Sequence, residues 1–187
     1  MGVLGLGLVE IKPRSFVYLL QPKPVAIIVS VDSFGKPNGM SAAWLTPTSR
    51  DPPLLAVAIS PKRYTYELIK QTRDFTVNIL DFSMIHESEF FGGYSGRAVD
   101  KFEKSKLTLV KSRIVKSPHI AEAVTALECS LYDEYPAGDH ALVLGKVEKA
   151  YVREEAIEDD TYNLSKVKIL LYLGGGKYTT TLDHSIT

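Results

Sequence analysis

The chain lacks the features that mark several classes of protein. It has one cysteine, Cys129, among 187 residues, so an internal disulfide is impossible and a reducing compartment is favoured. Its 22 basic residues equal its 22 acidic ones and form no stripe, which argues against nucleic acid as a partner. The longest apolar runs, 25–29 and 54–59, fall far short of the ~20 residues that a membrane-spanning helix needs. We therefore expect a cytoplasmic protein that binds neither a membrane nor nucleic acid.

Length and composition predict one globular domain over residues 1–187. Apolar residues make up 45% of the chain. A chain of this size buries roughly 70% of the surface that its unfolded form exposes. No repeat, low-complexity linker or cluster of prolines divides the sequence. The chain can therefore form its own core without a disulfide.

Short segments rich in β-branched residues predict a protein made mainly of β-strands. The predicted strands are 25–31, 38–45, 54–59, 75–79, 126–135, 140–147 and 168–173. Helical spacing predicts two helices, one with Thr65 as its N-cap and one over 83–91. Many strands, few helices and no regular βαβ alternation indicate a closed or nearly closed antiparallel barrel.

Three familiar motifs are excluded by their spacing. The segment Gly174-Gly-Gly-Lys177 is followed by Tyr178 and lacks the earlier glycine of a phosphate-binding loop. Ser41 lies in a sequence similar to a nucleophile elbow, but alanine replaces the last glycine and the segment is predicted as a strand, which disfavours a serine hydrolase. The four histidines are far apart and no cysteine pair accompanies them, so we expect no metal site.

Residues 60–65, Ser-Pro-Lys-Arg-Tyr-Thr, lie between a predicted buried strand and a predicted helix. Such a junction presents free backbone N–H groups and the positive end of the helix dipole. Arg63 adds forked donors, and Ser60 and Thr65 add hydroxyls, so the segment suits a doubly charged terminal phosphate. A capped helix with a solvated Lys62 and Arg63 explains the same residues, and this segment alone does not separate the two interpretations.

Seven parts of the chain form a pattern that no one of them shows alone. They are Pro22-Lys-Pro-Val-Ala26, Asn38-Gly-Met-Ser-Ala-Ala-Trp44, Asp51-Pro-Pro-Leu54, Ser60-Pro-Lys-Arg-Tyr-Thr65, Phe75-Thr-Val-Asn78, Ser95-Gly96 with Asp100-Lys-Phe102, and Gly138-Asp-His140 with Gly145-Lys-Val147. In this order they resemble the flavin reductase-like, FMN-binding split-barrel family, which includes the flavoredoxins. The resemblance covers roughly residues 13–178 and implies a mainly β fold, a split antiparallel β-barrel with flanking α-helices.

The resemblance also implies which residues bind FMN. The candidate cofactor-binding residues are Met40, Ser41, Ala42, Ala43, Trp44, Ser60, Lys62, Arg63, Tyr64, Thr65, Asn78, Ser95, Gly96 and Lys101. The small side chains at 41–43 let main-chain amides reach the polar edge of the flavin ring, and Trp44 is expected to pack near it. Asn78 is expected at the ring or ribityl chain and Lys101 at the phosphate or the ring. A strand-end cap and a solvated loop cation remain the alternative interpretations of these two residues.

His140 is the candidate catalytic residue, because the resemblance implies that it lies near the nicotinamide side of the flavin. A neutral imidazole there can hydrogen-bond a carboxamide or help a proton reach the reduced flavin. The alternative is a turn histidine that hydrogen-bonds backbone carbonyls.

The resemblance implies an oxidoreductase that moves a hydride from NADH or NADPH to FMN, in a homodimer with FMN at the subunit interface. The electron acceptor is not identified by the sequence. A non-enzymatic FMN-binding electron-transfer protein, without a nicotinamide site, is the second interpretation. A flavin-free barrel that contacts protein or RNA is the third.

Overall fold

The computed structural model describes residues 3–4 and 7–183. Its strands, in chain order, are β1 (Val3–Leu4), β2 (Leu8–Val9), β3 (Lys23–Pro24), β4 (Ala26–Val31), β5 (Pro37–Ala42), β6 (Leu45–Arg50), β7 (Pro53–Ile59), β8 (Asp74–Ile79), β9 (Leu109–Val110), β10 (His119–Ile120), β11 (Thr125–Ala137), β12 (His140–Val152), β13 (Ile157–Glu158), β14 (Thr161–Tyr162), β15 (Leu171–Gly174) and β16 (Lys177–Thr179). The α-helices are α1 (Phe16–Leu19), α2 (Tyr64–Thr72), α3 (Ile85–Gly93) and α4 (Lys101–Lys104). Short 3-10 helices occupy Pro13–Ser15, Phe82–Met84 and Glu154–Ala156. Within residues 7–183, no helix is both long enough and apolar enough to cross a membrane.

Seven strands form one antiparallel sheet in the order β5-β4-β8-β11-β12-β7-β6. Its two edge strands, β5 and β6, are consecutive along the chain and are joined by Ala43 and Trp44 alone. The three virtual bonds from Ala42 to Leu45 span at most about 11 Å. The sheet must therefore curl until its opposite edges meet. In the described residues β5 and β6 do not pair, so the result is a mainly β, split barrel, as expected.

The buried apolar residues form two clusters, one inside the barrel and one outside it, and β4 contributes residues to both. Its residues are all buried, as expected for a strand that is apolar on both faces. Ile28 packs in the cluster that includes Phe75 of β8. Ile27 and its neighbour on the same face, Val29, pack outside the barrel in a cluster with Phe91 of α3. The outer cluster fixes α3 against the sheet beside β5.

Several sequence predictions of strands are confirmed. The strands expected at 25–31, 54–59 and 75–79 are present, and the hairpin of β11 and β12 is longer than expected, with thirteen residues in each strand. The final strand, expected over 168–173, is instead the hairpin of β15 and β16, turned by Gly175 and Gly176 at positive φ.

Two boundaries near residues 60–65 and 38–45 were wrong. The strand expected over 38–45 ends at Ala42, and the chain then crosses to β6, whose Thr46-Pro47-Thr48 sequence lacks an alternating apolar pattern. Thr65 is not the N-cap of α2. Arg63 occupies that position, and Thr65 is buried in the first helical turn.

Glu128 of β11 is a fully buried carboxylate that fixes the segment after β9 onto the sheet. Its oxygens accept hydrogen bonds from the backbone N–H groups of Arg113 and Ile114 at 2.9 and 2.7 Å and from the Tyr151 hydroxyl at 2.8 Å. Burial by itself raises the pKa of Glu128, but these hydrogen bonds to the ionised form outweigh it and lower the pKa below the ordinary 4.5.

We expect Glu128→Gln to lower the free energy of unfolding at pH 7 by about 1–3 kcal/mol, because the new NH₂ group faces other donors. A carboxylate with a lowered pKa in the folded state stabilises above pH 4.5 and loses that contribution as the pH falls through its folded value. The difference between wild type and variant should therefore shrink in urea titrations performed below pH 4.5. Glu155→Gln, at an exposed glutamate, is the control and should match wild type. Equal stability of Glu128→Gln and wild type at pH 7 would contradict this account.

Candidate functional site

A cavity of about 530 Å³ lies beside the Ala43–Trp44 connection between the sheet edges. It is lined by Met40, Ser41, Ala42, Ala43, Trp44, Ala58, Ser60, Lys62, Arg63, His140 and Tyr172. We refer to it as the ring cavity. The last residues of β5 and β7 and the first residue of β12 meet there because the sheet has curled. Every residue from 40 to 44 that the sequence singled out lies on its wall.

Backbone groups along one edge of β5 are free to meet a ligand. Among the residues that the structure describes, β5 pairs only with β4, and its other edge has no strand partner there. The side chains of Ala42 and Ala43 are methyl groups, and the Ser41 hydroxyl lies 3.1 Å from the hydroxyl of Ser88 in α3. This leaves a strand edge whose donors and acceptors are not covered by large side chains.

A smaller cavity of about 80 Å³ adjoins the ring cavity at the start of α2. Its lining residues are Asn38, Met40, Lys62, Arg63, Tyr64, Thr65, Tyr94, Ser95, Gly96 and Lys101, and we refer to it as the anion cavity. Met40, Lys62 and Arg63 line both cavities. Of the described residues that line the anion cavity, three are cations, Lys62, Arg63 and Lys101, and none is a carboxylate. The first turn of α2 has no side-chain cap, so the positive end of a nine-residue helix also faces it.

Lys101 is the most unusual cation of the anion cavity. It is only 3% exposed, and its Nζ donates to the carbonyls of Phe91 and Tyr94, both at 3.1 Å. Burial and, to a lesser degree, the positive charge of Arg63 lower the pKa of Lys101 to about 8. Two of the three cations, Lys101 and Arg63, thus repel each other at one small cavity, and a bound anion would relieve that repulsion.

Arg63 is exposed but is held in position. Its Nη1 donates to the carbonyl of Gly92, at the end of α3, at 3.2 Å. The guanidinium is thereby held between α3 and the first turn of α2, where it lines both cavities. The sequence alone indicated this part of the site, because its hydrogen-bond donors come from six consecutive residues, 60–65.

His140 stands at the other end of the ring cavity. Its Nδ1 lies 2.7 Å from Asp139 Oδ1, and its ring lies against Trp44 with centroids 5.0 Å apart. The hydrogen bond to His140, with the attraction between the two groups, lowers the pKa of Asp139. An ionised carboxylate only accepts, so Nδ1 donates, and Nε2 of the neutral ring is left as an acceptor.

Asn78 is the one candidate that lies outside both cavities. It is fully buried in the central strand β8. Its Nδ2 donates to the carbonyl of Ile27 and to the Thr76 hydroxyl, both at 3.0 Å, and its Oδ1 accepts from the N–H of Ile120 at 2.8 Å. Both amide hydrogens are used within the core. The structure thus gives Asn78 core hydrogen bonds in place of a position on either cavity wall, where a contact with the ring or ribityl chain was expected.

Four residues of the site were missed as candidates. Ala58 and Tyr172 line the ring cavity, and Asn38 and Tyr94 line the anion cavity. Asn38 stands in one of the segments that carry the family resemblance, but nothing in its spacing indicates a contact with Thr65. Tyr172 comes from the β15 and β16 hairpin, which is far away along the chain. Within residues 7–183 no group of three or more His, Cys, Asp or Glu side chains is arranged to hold a metal ion.

The chain belongs to the flavin reductase-like family. The family model described as the flavin reductase like domain matches residues 19–181. An uncharacterized protein of Aeropyrum pernix is 36% identical over 151 residues, which are 80% of this chain and 57% of that protein. The chain thus spans little more than half of that relative.

Solved structures show the same fold. An FMN-binding protein from Thermus thermophilus, with bound 1-cyclohex-2-enone, superposes with a TM-score of 0.84 at 27% identity, covering 96% of this chain and 98% of that one. The flavoredoxin of Desulfovibrio vulgaris superposes with a TM-score of 0.82 at 25% identity, covering 98% and 96%. These matches confirm the expected family and the split-barrel fold.

Gly96 lines the anion cavity. We expect Gly96→Ala to disrupt the packing of the cavity wall and to lower the stability of the protein. A Cβ at this position would overlap the side-chain amide of Asn38 and lie 3.1 Å from the ring of Tyr64. Overpacking of this kind costs about 1–3 kcal/mol, measurable as a lower midpoint of thermal unfolding. Gly93→Ala is the matched control, because a Cβ there meets nothing within 4 Å. Equal unfolding midpoints for both variants would contradict this expectation, because they would show that the loop at Gly96 accommodates the Cβ without loss of stability.

Proposed function

We propose that this protein is an FMN-binding oxidoreductase that transfers a hydride from NADH or NADPH to flavin. The observation that carries the proposal is the anion cavity, where Lys62, Arg63 and Lys101 meet without a carboxylate. A phosphate monoester carries about −1.5 to −2 charges at pH 7 and matches this excess of positive charge. Membership of the flavin reductase-like family supports the same cofactor and the same class of reaction.

The residues of the two cavities fit FMN at both of its ends. The phosphate would be held by Arg63, Lys101, the Thr65 hydroxyl, Ser95 and the first turn of α2. The free edge of β5 at 41–43 would face the polar edge of the ring in the ring cavity. Recognition of the ring would then depend on backbone groups, and recognition of the phosphate on side-chain charge.

Bound FMN supplies the redox chemistry, because its ring accepts a hydride from a reduced nicotinamide. The protein contributes position and access, since hydride transfer needs no protein acid or base. In the neutral ring, whose Nδ1 donates to Asp139, Nε2 of His140 offers an acceptor for the N–H of a nicotinamide carboxamide. Trp44, whose ring packs against His140 at an interplanar angle of 35°, forms the wall beside them.

The proposal includes a homodimer with FMN at the subunit interface. α1 and the residue after it expose large apolar side chains: Phe16 is 56%, Leu19 70% and Leu20 57% exposed. Phe16 and Leu20 also line an apolar cavity of about 230 Å³ that shares Trp44 and Ala58 with the ring cavity. Exposed apolar patches of this kind mark association surfaces. A second copy packed on α1 would therefore lie next to the proposed ring site.

One experiment separates the proposed function from its alternatives. The purified protein is titrated with FMN, and NADH or NADPH is then added without oxygen while the visible spectrum is recorded. We expect FMN to bind, its visible absorbance to be lost on addition of one nicotinamide, and light scattering to give twice the mass of the chain. FMN binding without reduction would favour an electron carrier that receives electrons from a protein partner. Absence of FMN binding would overturn the proposal.

Arg63→Ala should weaken FMN binding roughly ten- to a hundredfold while the fold survives, because charged hydrogen bonds contribute about 1.5–3 kcal/mol each. Quenching of flavin fluorescence during titration measures the affinity. Arg113→Ala removes an exposed arginine outside both cavities and should leave the affinity unchanged. An unchanged affinity for Arg63→Ala would remove Arg63 from the site.

A further inference from the structure

Asn38 and Thr65 form a buried pair at the wall of the anion cavity. Asn38, in the edge strand β5, is 6% exposed, and Thr65, in the first turn of α2, is 1% exposed. The Nδ2 of Asn38 donates to the Oγ1 of Thr65 at 2.8 Å. Both side chains line the anion cavity. The pair therefore joins the strand edge that faces the ring cavity to the helix that faces the anion cavity.

The direction of this hydrogen bond determines what Thr65 can offer a ligand. A hydroxyl has one hydrogen to donate and two lone pairs with which to accept, whereas an amide nitrogen only donates. Because Asn38 fills one lone pair of the Thr65 oxygen, the hydrogen of that hydroxyl remains available. Asn38 is the only hydrogen-bond partner of the Thr65 hydroxyl among the side chains of residues 7–183.

The packing around Asn38 holds the pair in place. Gly96 approaches the side chain of Asn38 so closely that no Cβ could stand between them, and Tyr64 lies on the same side. The backbone of Asn38 is fixed by its pairing with Ser30 of β4. The amide is thus confined by its own backbone pairing, by Gly96 and by its hydrogen bond to Thr65, which makes it a rigid support for that hydroxyl.

We propose that Asn38 is a positioning residue that presents the Thr65 hydroxyl as a donor to the phosphate, and that it thereby sets the preference for FMN over riboflavin. This inference rests on the proposed function and adds a residue and a specificity to it. Riboflavin has the same ring and ribityl chain but no phosphate. Any change that acts through the phosphate must therefore alter FMN affinity and leave riboflavin affinity unchanged.

The test compares FMN and riboflavin binding in four variants. Thr65→Val removes the hydroxyl at constant shape and should weaken FMN binding about tenfold, since the lost hydrogen bond is to a charged group. Thr65→Ser keeps the hydroxyl and should stay within threefold of wild type. Asn38→Leu removes the amide at similar volume and should weaken FMN binding by a similar factor. The double variant Asn38→Leu/Thr65→Val should bind FMN no worse than Thr65→Val alone, because Asn38 acts only through Thr65.

Riboflavin affinity should change less than twofold in all four variants. An equal loss of FMN and riboflavin binding in Asn38→Leu would assign Asn38 a merely structural role and overturn the proposal. Additive losses of FMN affinity from the two substitutions would also overturn the proposal. Full FMN affinity in Thr65→Val would overturn it as well. If Asn38→Leu does not fold, as judged by its thermal unfolding, the contrast between Thr65→Val and Thr65→Ser still decides whether the hydroxyl donates. Wild-type protein that binds neither flavin would instead contradict the proposed function.

Discussion

The two-residue connection between β5 and β6 is the constraint on which the site depends. These strands are the opposite edges of a seven-stranded sheet, yet only Ala43 and Trp44 separate them along the chain. So short a connection forces the sheet to curl, because it cannot span the width of a flat sheet. The curl brings the ends of β5 and β7 beside the start of β12, and the ring cavity lies where they meet. The split in the barrel and the cavity therefore have one cause.

The free edge of β5 and the start of α2 give the candidate site two different kinds of surface. An edge strand presents unpaired backbone groups that would invite another strand unless something covers them. Small side chains leave this edge accessible at the ring cavity. α3 packs so closely against the same strand that a Cβ at Gly39 would lie 3.0 Å from the ring of Phe91. Side-chain charge is collected in the anion cavity, at the start of α2, which has no side-chain cap. Exposed backbone groups and cationic side chains thus line adjoining cavities that share Met40, Lys62 and Arg63.

The sequence predicted the parts of the site that are continuous along the chain. Residues 40–44 and 60–65 each form one wall, because a strand end and a strand-to-helix junction keep neighbouring residues together. It could not predict contacts between distant segments, such as Arg63 with Gly92 or Asn38 with Thr65. The strand β6 was missed for a different reason. Its polar residues and Pro47 lie on an exposed edge, where burial does not impose an apolar pattern.

Two asparagines show what the sequence alone leaves undecided. Asn38 and Asn78 both lie in strands and within segments that resemble the family, and both are buried. Asn78 belongs to β8, which pairs with β4 and β11, so its amide can reach only core groups and the backbone of β10. Asn38 belongs to an edge strand, so one side of it remains open to α2 and to the loop at Gly96. The order of strands in the sheet, which emerges only from the folded chain, decides that Asn38 lines the anion cavity and that Asn78 does not.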